Sequence, residues 1–353
     1  MILDSCRNLK LEWARCRVRI TDESTQLSKS VRRARLKLLT IDSLAGVAKP
    51  EYILRPHQIA RRLWVEALPK KSQFTKVWLP WGYPMMVNPA ESIGWAIYSR
   101  GIYEMPLTEA LWRLARPGDI VVDGGANIGY ATSILAARVG LRGKVHSFEP
   151  DPRSFGELQR NVTEWEERGQ RGAFVLHTAA LGERSGTATL QIPVSFEWNG
   201  GRARIETAAS EEEVESELDR GITKLEVELV ALDEVFSQGE HVSVVKLDVE
   251  GFELDALKGM EQMLRERRIR RVVFEELRDY PAPTHHFLRD VGYSVFGLDH
   301  GFFGIKCCRD RGPRVEPLSG LPSNYLATYE ADETVRQLEH GLWKSFGPGR
   351  YLY

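Results

Sequence analysis

The sequence predicts an α/β fold of the Rossmann-like, doubly wound type, a mostly parallel sheet with helices on both faces. Three observations carry the prediction. Short strand-like runs recur at Ile120-Val121-Val122, Val145-His146-Ser147-Phe148, Phe174-Val175-Leu176, Val242 to Leu247 and Arg271-Val272-Val273-Phe274. Helical spacing of apolar residues follows several of them, and strands alternating with helices at this pace imply a buried parallel sheet. A glycine-rich turn, Gly124 to Gly129, joins the first run to its helix, as at the ligand-binding edge of such sheets.

The elements follow in order. Residues 1–75 are a basic, helix-leaning extension, with Arg32, Arg33, Arg35, Lys37, Arg61, Arg62, Lys70 and Lys71 set against few acids. No aromatic residues alternate with these charges as a nucleic-acid stacking platform needs, so a solvated helix face is the expectation. The main domain is expected over 76–330, opening with short strands punctuated by Trp78, Pro80, Trp81, Gly82 and Pro84. Ile128, Ala131, Leu135 and Val139 mark the helix after the glycine turn. Asp151-Pro152 offers a cap and a first-turn proline for the next helix, whose stripe is Phe155, Leu158, Val162 and Trp165. An insertion at 185–225 holds the strand-like Thr187 to Ile192, a turn at Asn199-Gly200-Gly201 and the acidic run Glu211 to Glu213. Such a run is either a solvated loop or a cover over substrate. Residues 331–353 form a tail.

With 353 residues, the chain suits one large α/β domain with extensions or two modest domains. Its formal net charge of −1 excludes a whole-protein basic field for gripping phosphate backbones, so no nucleic-acid partner is expected. Cys6, Cys16, Cys307 and Cys308 lack zinc-site spacing and are too sparse for a disulfide scaffold. A reducing cytoplasm is the expected compartment, since neither a signal peptide nor a run of about 20 apolar residues is present.

The chemistry concentrates in two clusters. Val121-Val122-Asp123-Gly124-Gly125-Ala126-Asn127-Ile128-Gly129 departs from the Gly-x-Gly-x-x-Gly of dinucleotide enzymes, because Asp123 would repel a pyrophosphate. A carboxylate there suits a cofactor with an amino group and a sulfonium. Glu149, ending the second strand, stands where an acid grips ribose hydroxyls. The second cluster is Lys246-Leu247-Asp248-Val249-Glu250-Gly251-Phe252-Glu253. Asp248 and Glu250 either orient and deprotonate a substrate hydroxyl, hold a divalent ion, or merely cap the next helix. A shared rim with the glycine turn favours a role in chemistry, although the metal option is not adopted. Glu275 is a weaker candidate by the same geometry. His177 ends the third strand near an adenine's expected place, with strand-end packing the plain alternative, and His285-His286 are expected at the surface. No hydrolase signature appears.

Four pieces occur in order: Gly101-Ile102-Tyr103-Glu104, the turn Asp123 to Gly129, Phe148-Glu149-Pro150-Asp151-Pro152, and Lys246 to Glu253. Together they resemble the FkbM-type family of class I S-adenosylmethionine-dependent methyltransferases. Lesser matches are Leu232-Asp233-Glu234 and Asn324-Tyr325-Leu326-Ala327. The resemblance implies a seven-stranded sheet with a reversed last strand, Tyr293 to Gly297 and Phe302 to Cys308 forming its final two. It implies S-adenosylmethionine as cofactor and in-line methyl transfer to a hydroxyl of a sugar or secondary metabolite, the partner being a small-molecule or glycan acceptor. Carried over by position, Asp123, Gly125, Asn127 and Gly129 would contact the methionine end, Glu149 the ribose, and Glu104 the cofactor from the preceding segment. Asp248 and Glu250 would face the transfer site as the catalytic pair. Gly124 departs from the family's usual valine and is expected to cost strand stability. Methylation of RNA or protein, and a binding module that turns over nothing, are the alternatives.

Overall fold

The computed structural model describes residues 74–170, 172–193, 204–205, 222–301, 303–309 and 323–345. By its contacts the chain divides into Met1–Ala60 and Arg61–Tyr353, and every described residue belongs to the second unit. The basic extension before Phe74, the turn at 199–201 and the acidic run at 211–213 lie outside the described residues.

A hairpin opens the described chain, β1 (Thr75–Trp78) and β2 (Pro84–Val87), followed by helices α1 (Ser92–Arg100) and α2 (Met105–Leu114). Then come β3 (Ile120–Gly124), α3 (Tyr130–Val139), β4 (Lys144–Phe148), α4 (Pro152–Glu167) and β5 (Ala173–His177). Asp151 caps α4 as its sequence predicts, its side chain accepting the Arg153 N–H. Strands β6 (Ala179–Leu181), β7 (Gly186–Pro193), β8 (Arg204–Ile205) and β9 (Ile222–Val230) make a separate four-stranded sheet in the order β6-β9-β7-β8. The short helix α5 (Leu232–Val235) leads to β10 (Val244–Leu247), α6 (Glu253–Lys258), α7 (Glu261–Arg265), β11 (Arg271–Glu276) and α8 (Pro283–Asp290). The described chain closes with β12 (Ser294–His300), β13 (Ile305–Arg309), β14 (Ser323–Thr328) and α9 (Ala331–Glu339).

The main sheet runs β13-β12-β14-β11-β10-β3-β4-β5. From β11 to β5 all pairs are parallel, and β14 lies antiparallel between β11 and β12. The expected final pair, 293–297 and 302–308, forms as the antiparallel β12–β13 hairpin, but the expected count of seven strands is corrected to eight. The reversed strand that joins the sheet is 323–328, and 305–309 adds an eighth strand at the edge. The Asn324-Tyr325-Leu326-Ala327 segment is itself that central strand.

Each strand feeds two cores by simple alternation. Val121, Val145, Val244 and Val273 face one core with Leu111 of α2, Ile134 of α3 and Trp165 of α4. Val122, Val245, Leu247 and Val272 face the other with Leu257, Leu264 and Leu288. The apolar runs are buried on both sides, as a parallel sheet requires. Among the described residues, no helix is long and apolar enough to cross a membrane.

Candidate active site

The site lies beyond the carboxyl ends of β3, β10 and β11, where the parallel strands release their chains into loops. The turn after β3 places Gly125, Asn127 and Gly129 at φ of 72°, 49° and 94°, the left-handed region. Its Gly125 and Ala126 N–H groups donate to the Phe148 carbonyl at 3.0 and 2.9 Å, fastening it to the end of β4. A Cβ on Gly125 would stand 1.8 Å from the Asp248 carbonyl oxygen. Glycine there lets the turn touch the β10 loop, a different use from giving a ligand room. Gly124 is closely packed as well: a Cβ would stand 2.8 Å from the end of the Leu181 side chain and 3.1 Å from that of Leu247. The valine usual at this position would need both leucines to move, so the departure fits this chain's packing.

Glu149 buttresses the turn. One carboxylate oxygen accepts the Asn127 N–H at 2.8 Å and the other the Asp151 N–H at 2.9 Å. Burial pushes its carboxyl up to about 7, against the pull of those two donors. The neighbouring His177 ring stacks on Phe148, centroids 4.1 Å apart and planes 4° from parallel. Burial lowers the His177 imidazole from its ordinary value.

Asp123 is wholly buried. Its Oδ2 accepts the Thr132 hydroxyl at 2.6 Å, and its Oδ1 lies 3.2 Å from the Lys246 ammonium. That separation is a buried ion pair. Lys246 also donates to the Gly125 carbonyl at 2.7 Å and to that of Gly124 at 3.2 Å, and stands 3.5 Å from Asp248.

Two further acids, Glu104 and Glu275, gather around Asp248. Glu104 caps α2 from a left-handed conformation, φ 41°, and accepts the Asn324 side-chain amide at 3.3 Å. Burial first, and then the Asp248 charge, push Glu104 up to about 7. Glu275 sits opposite Asn324 in the β11–β14 ladder. The same two causes and a hydrogen bond to Asp248 push it up to about 12, which favours its neutral form. Burial works against the Asp248 charge as well, but Lys246 outweighs it and holds Asp248 below the ordinary carboxylate value. The Asp248 side chain keeps 28% exposure while Asp123 has none, and Glu250 is likewise partly exposed.

Glu250 occupies the following loop at φ 53°, and its charge adds to the field that keeps Glu275 protonated. The loop is held by Glu253, whose carboxylate accepts the Val249 and Gly251 N–H groups at 3.2 and 3.1 Å. Asp248 thus does not cap a helix; α6 begins only at Glu253. The structure brings Glu104, Asp248, Glu250 and Asp123 together around Lys246 and Glu275. Glu149 and Asn127 lie along the same turn toward β4.

Sequence reasoning gave no role to Lys246, Glu253 or Asn324. The first was visible in principle: positions 246 and 248 share a strand face, and so does position 123 across the ladder. Asn324 became meaningful only once β14 was placed beside β11. His285 corrects a further expectation. It is fully buried against Tyr280 and Tyr325 and accepts the Ala282 N–H, while His286 is exposed. Among the described residues, no group of three or more histidines, cysteines or acids is arranged to hold a metal ion.

The family described as methyltransferase FkbM domain matches residues 123–295, from the acid of the glycine turn into β12. No curated protein sequence is significantly similar to the chain. Among solved structures, a methyltransferase FkbM from Methylobacillus flagellatus aligns with 15% identity and a TM-score of 0.36 over 65% of this chain and 52% of that one. The chain thus spans about half the length of that relative. A putative rRNA methylase from Clostridium thermocellum aligns with 11% identity and a TM-score of 0.37, covering 64% of this chain and 97% of its own. An S-adenosylmethionine-dependent O-methyltransferase from Thermotoga maritima gives 14% and 0.34, over 64% and 65%.

Proposed function

Residues 123–295 belong to the FkbM methyltransferase family, and from that premise we propose that the protein transfers a methyl group from S-adenosylmethionine to a hydroxyl oxygen of a small-molecule or glycan acceptor. The observation that carries the reading is an imbalance of charge at one rim. Asp123, Asp248 and Glu104 all lie in the field of one ammonium, Lys246, with Glu250 in the adjoining loop, so the acids outnumber the cation they surround. A ligand bearing an ammonium and a sulfonium fits that excess, whereas a pyrophosphate would be repelled.

The cofactor supplies an electrophilic methyl carbon on a good leaving group, which leaves positioning and proton removal to the protein. Asp248, ionised and partly exposed, is the group suited to orient an acceptor hydroxyl and take its proton. Glu275, neutral, donates to Asp248 and holds its carboxylate in one orientation. Glu250 flanks the same approach. Each Glu149 oxygen keeps a lone pair beyond its backbone donor, enough to accept the paired hydroxyls of a ribose. The turn from Gly125 to Gly129 presents its backbone beside them.

Calorimetric titration with S-adenosylmethionine, S-adenosylhomocysteine and NAD tests the cofactor assignment. Binding of both adenosyl ligands, weakened in Glu149→Ala, with none for NAD, supports it; no adenosyl binding ends it. A screen of hydroxylated acceptors for S-adenosylhomocysteine release then tests the transfer. Release with RNA or protein in place of small hydroxylated acceptors would replace the acceptor assignment.

A further inference from the structure

Within the rim, Lys246 makes contacts that a simple ion pair with Asp123 does not need. Its side chain is 3% exposed, on a strand that otherwise reads Val-Val-x-Leu. Burying an ammonium costs several kcal/mol, and an apolar residue would complete this strand without that cost. Lys246 and Asp123 are directly paired across the β10–β3 ladder, which accounts for one contact. The ammonium then reaches past Asp123, donating to the carbonyls of Gly124 and Gly125 and facing Asp248. Two of these partners open the cofactor turn, and the last is a partly exposed acid of the transfer site.

We propose that Lys246 is a positioning residue that locks the glycine turn to Asp248, so that the cofactor seat and the proton acceptor are held as one unit. This rests on the reading of the rim as a methyl-transfer site. The lock has two parts. Hydrogen bonds to the two glycine carbonyls fix the turn against the end of β10, where the Asp248 N–H donates back to the Gly124 carbonyl at 3.2 Å. The positive charge keeps Asp248 ionised against its burial and against the acids around it, namely Glu104 from the start of α2 and Glu250 and Glu253 from its own loop, while Glu275 from β11 favours the same ionised form. Neither part needs cofactor to be present, so both can be read in the free protein.

The test compares the full chain with Lys246→Met and Lys246→Gln. Aspartate carboxyl carbons are labelled for NMR titration, the Asp248 signal being identified by its loss in Asp248→Asn. Hydrogen exchange is followed in the 123–130 segment, and S-adenosylhomocysteine affinity is measured beside it. Both variants should raise the Asp248 midpoint by about one pH unit or more, since each removes a cation within ion-pair distance. Exchange at the turn should rise in Lys246→Met and stay closer to wild type in Lys246→Gln, whose amide can still donate to a carbonyl. Affinity for S-adenosylhomocysteine should fall roughly tenfold or more in Lys246→Met. An unchanged Asp248 midpoint in Lys246→Gln overturns the proposal, even if Lys246→Met fails to fold. Absence of S-adenosylhomocysteine binding in the wild type would count against the cofactor reading alone, because the titration and the exchange do not depend on it.

Discussion

Two buried charge clusters lie at opposite ends of α2, and they are built on different terms. At its start, Glu104 joins the rim where acids crowd one ammonium and are pushed toward neutrality. Further along, Glu109 and Arg113 form a buried pair 2.5 Å apart with their charges fully used. Arg113 donates to the carbonyls of Gln337, His340 and Leu342, and Glu109 accepts the N–H groups of Lys344 and Ser345. That cluster clasps α9 and the segment after it to the domain. A buried charge matched within the protein is architecture; a surplus of one sign points to something the protein must receive.

The largest effect that could break this contrast is in the clasp. Glu109→Ala strands Arg113 without its carboxylate and should cost about 3–5 kcal/mol, read from the denaturant midpoint. A wild-type midpoint would mean that the clasp is not structural. At the rim the effect should fall on function. Asp248→Asn should lower methyl transfer by about 100-fold with S-adenosylhomocysteine affinity changed by less than about threefold. Unchanged turnover would remove Asp248 from the chemistry.

The third effect is smaller and has a sign that depends on pH. The Glu104 carboxyl is raised in the folded protein to about 7 from an ordinary 4.5. Between those values the folded state holds a proton that the unfolded state has lost, so stability falls as pH rises through the window and stays reduced above it. Glu104→Gln should remove that loss, gaining on the order of 1–2 kcal/mol above pH 7 and little below about pH 4.5. Denaturation curves at both pH values check this, and a variant less stable at high pH would contradict the surplus of negative charge. Smallest of all should be Arg116→Ala, which removes a half-exposed pair with Glu333. It should change stability by less than about 1 kcal/mol, marking the level below which the other differences carry no meaning.

How much of this was legible differs between the two ends of α2 for a physical reason. The strands, the glycine turn, the α4 cap and the rim acids are written in local patterns: alternation, helical spacing and acids at strand ends. Val121 and Val122 declare a strand buried on both sides without reference to distant residues. The position of β14 between β11 and β12 is not local, because it pairs Ser323–Thr328 with segments some distance earlier in the chain. Lys246 stands inside its motif with no role that local pattern reveals, since its meaning depends on facing Asp123 across a ladder. The clasp was invisible: Glu109 and Arg113 look like a solvated helix pair four residues apart, and only tertiary packing buries them. The 185–225 insertion was recognised, but its strands pair into a sheet of their own, which spacing alone does not reveal.

The contact between Gly125 and the Asp248 backbone has a consequence for how this site can change. With no space for even a methyl group between them, the turn and the β10 loop form a mated surface, and neither can be altered alone without displacing the other. A chimera that borrows the 120–130 segment from a relative would inherit half of a joint. The two segments, separated by more than a hundred residues of chain, are thereby exchangeable only as one.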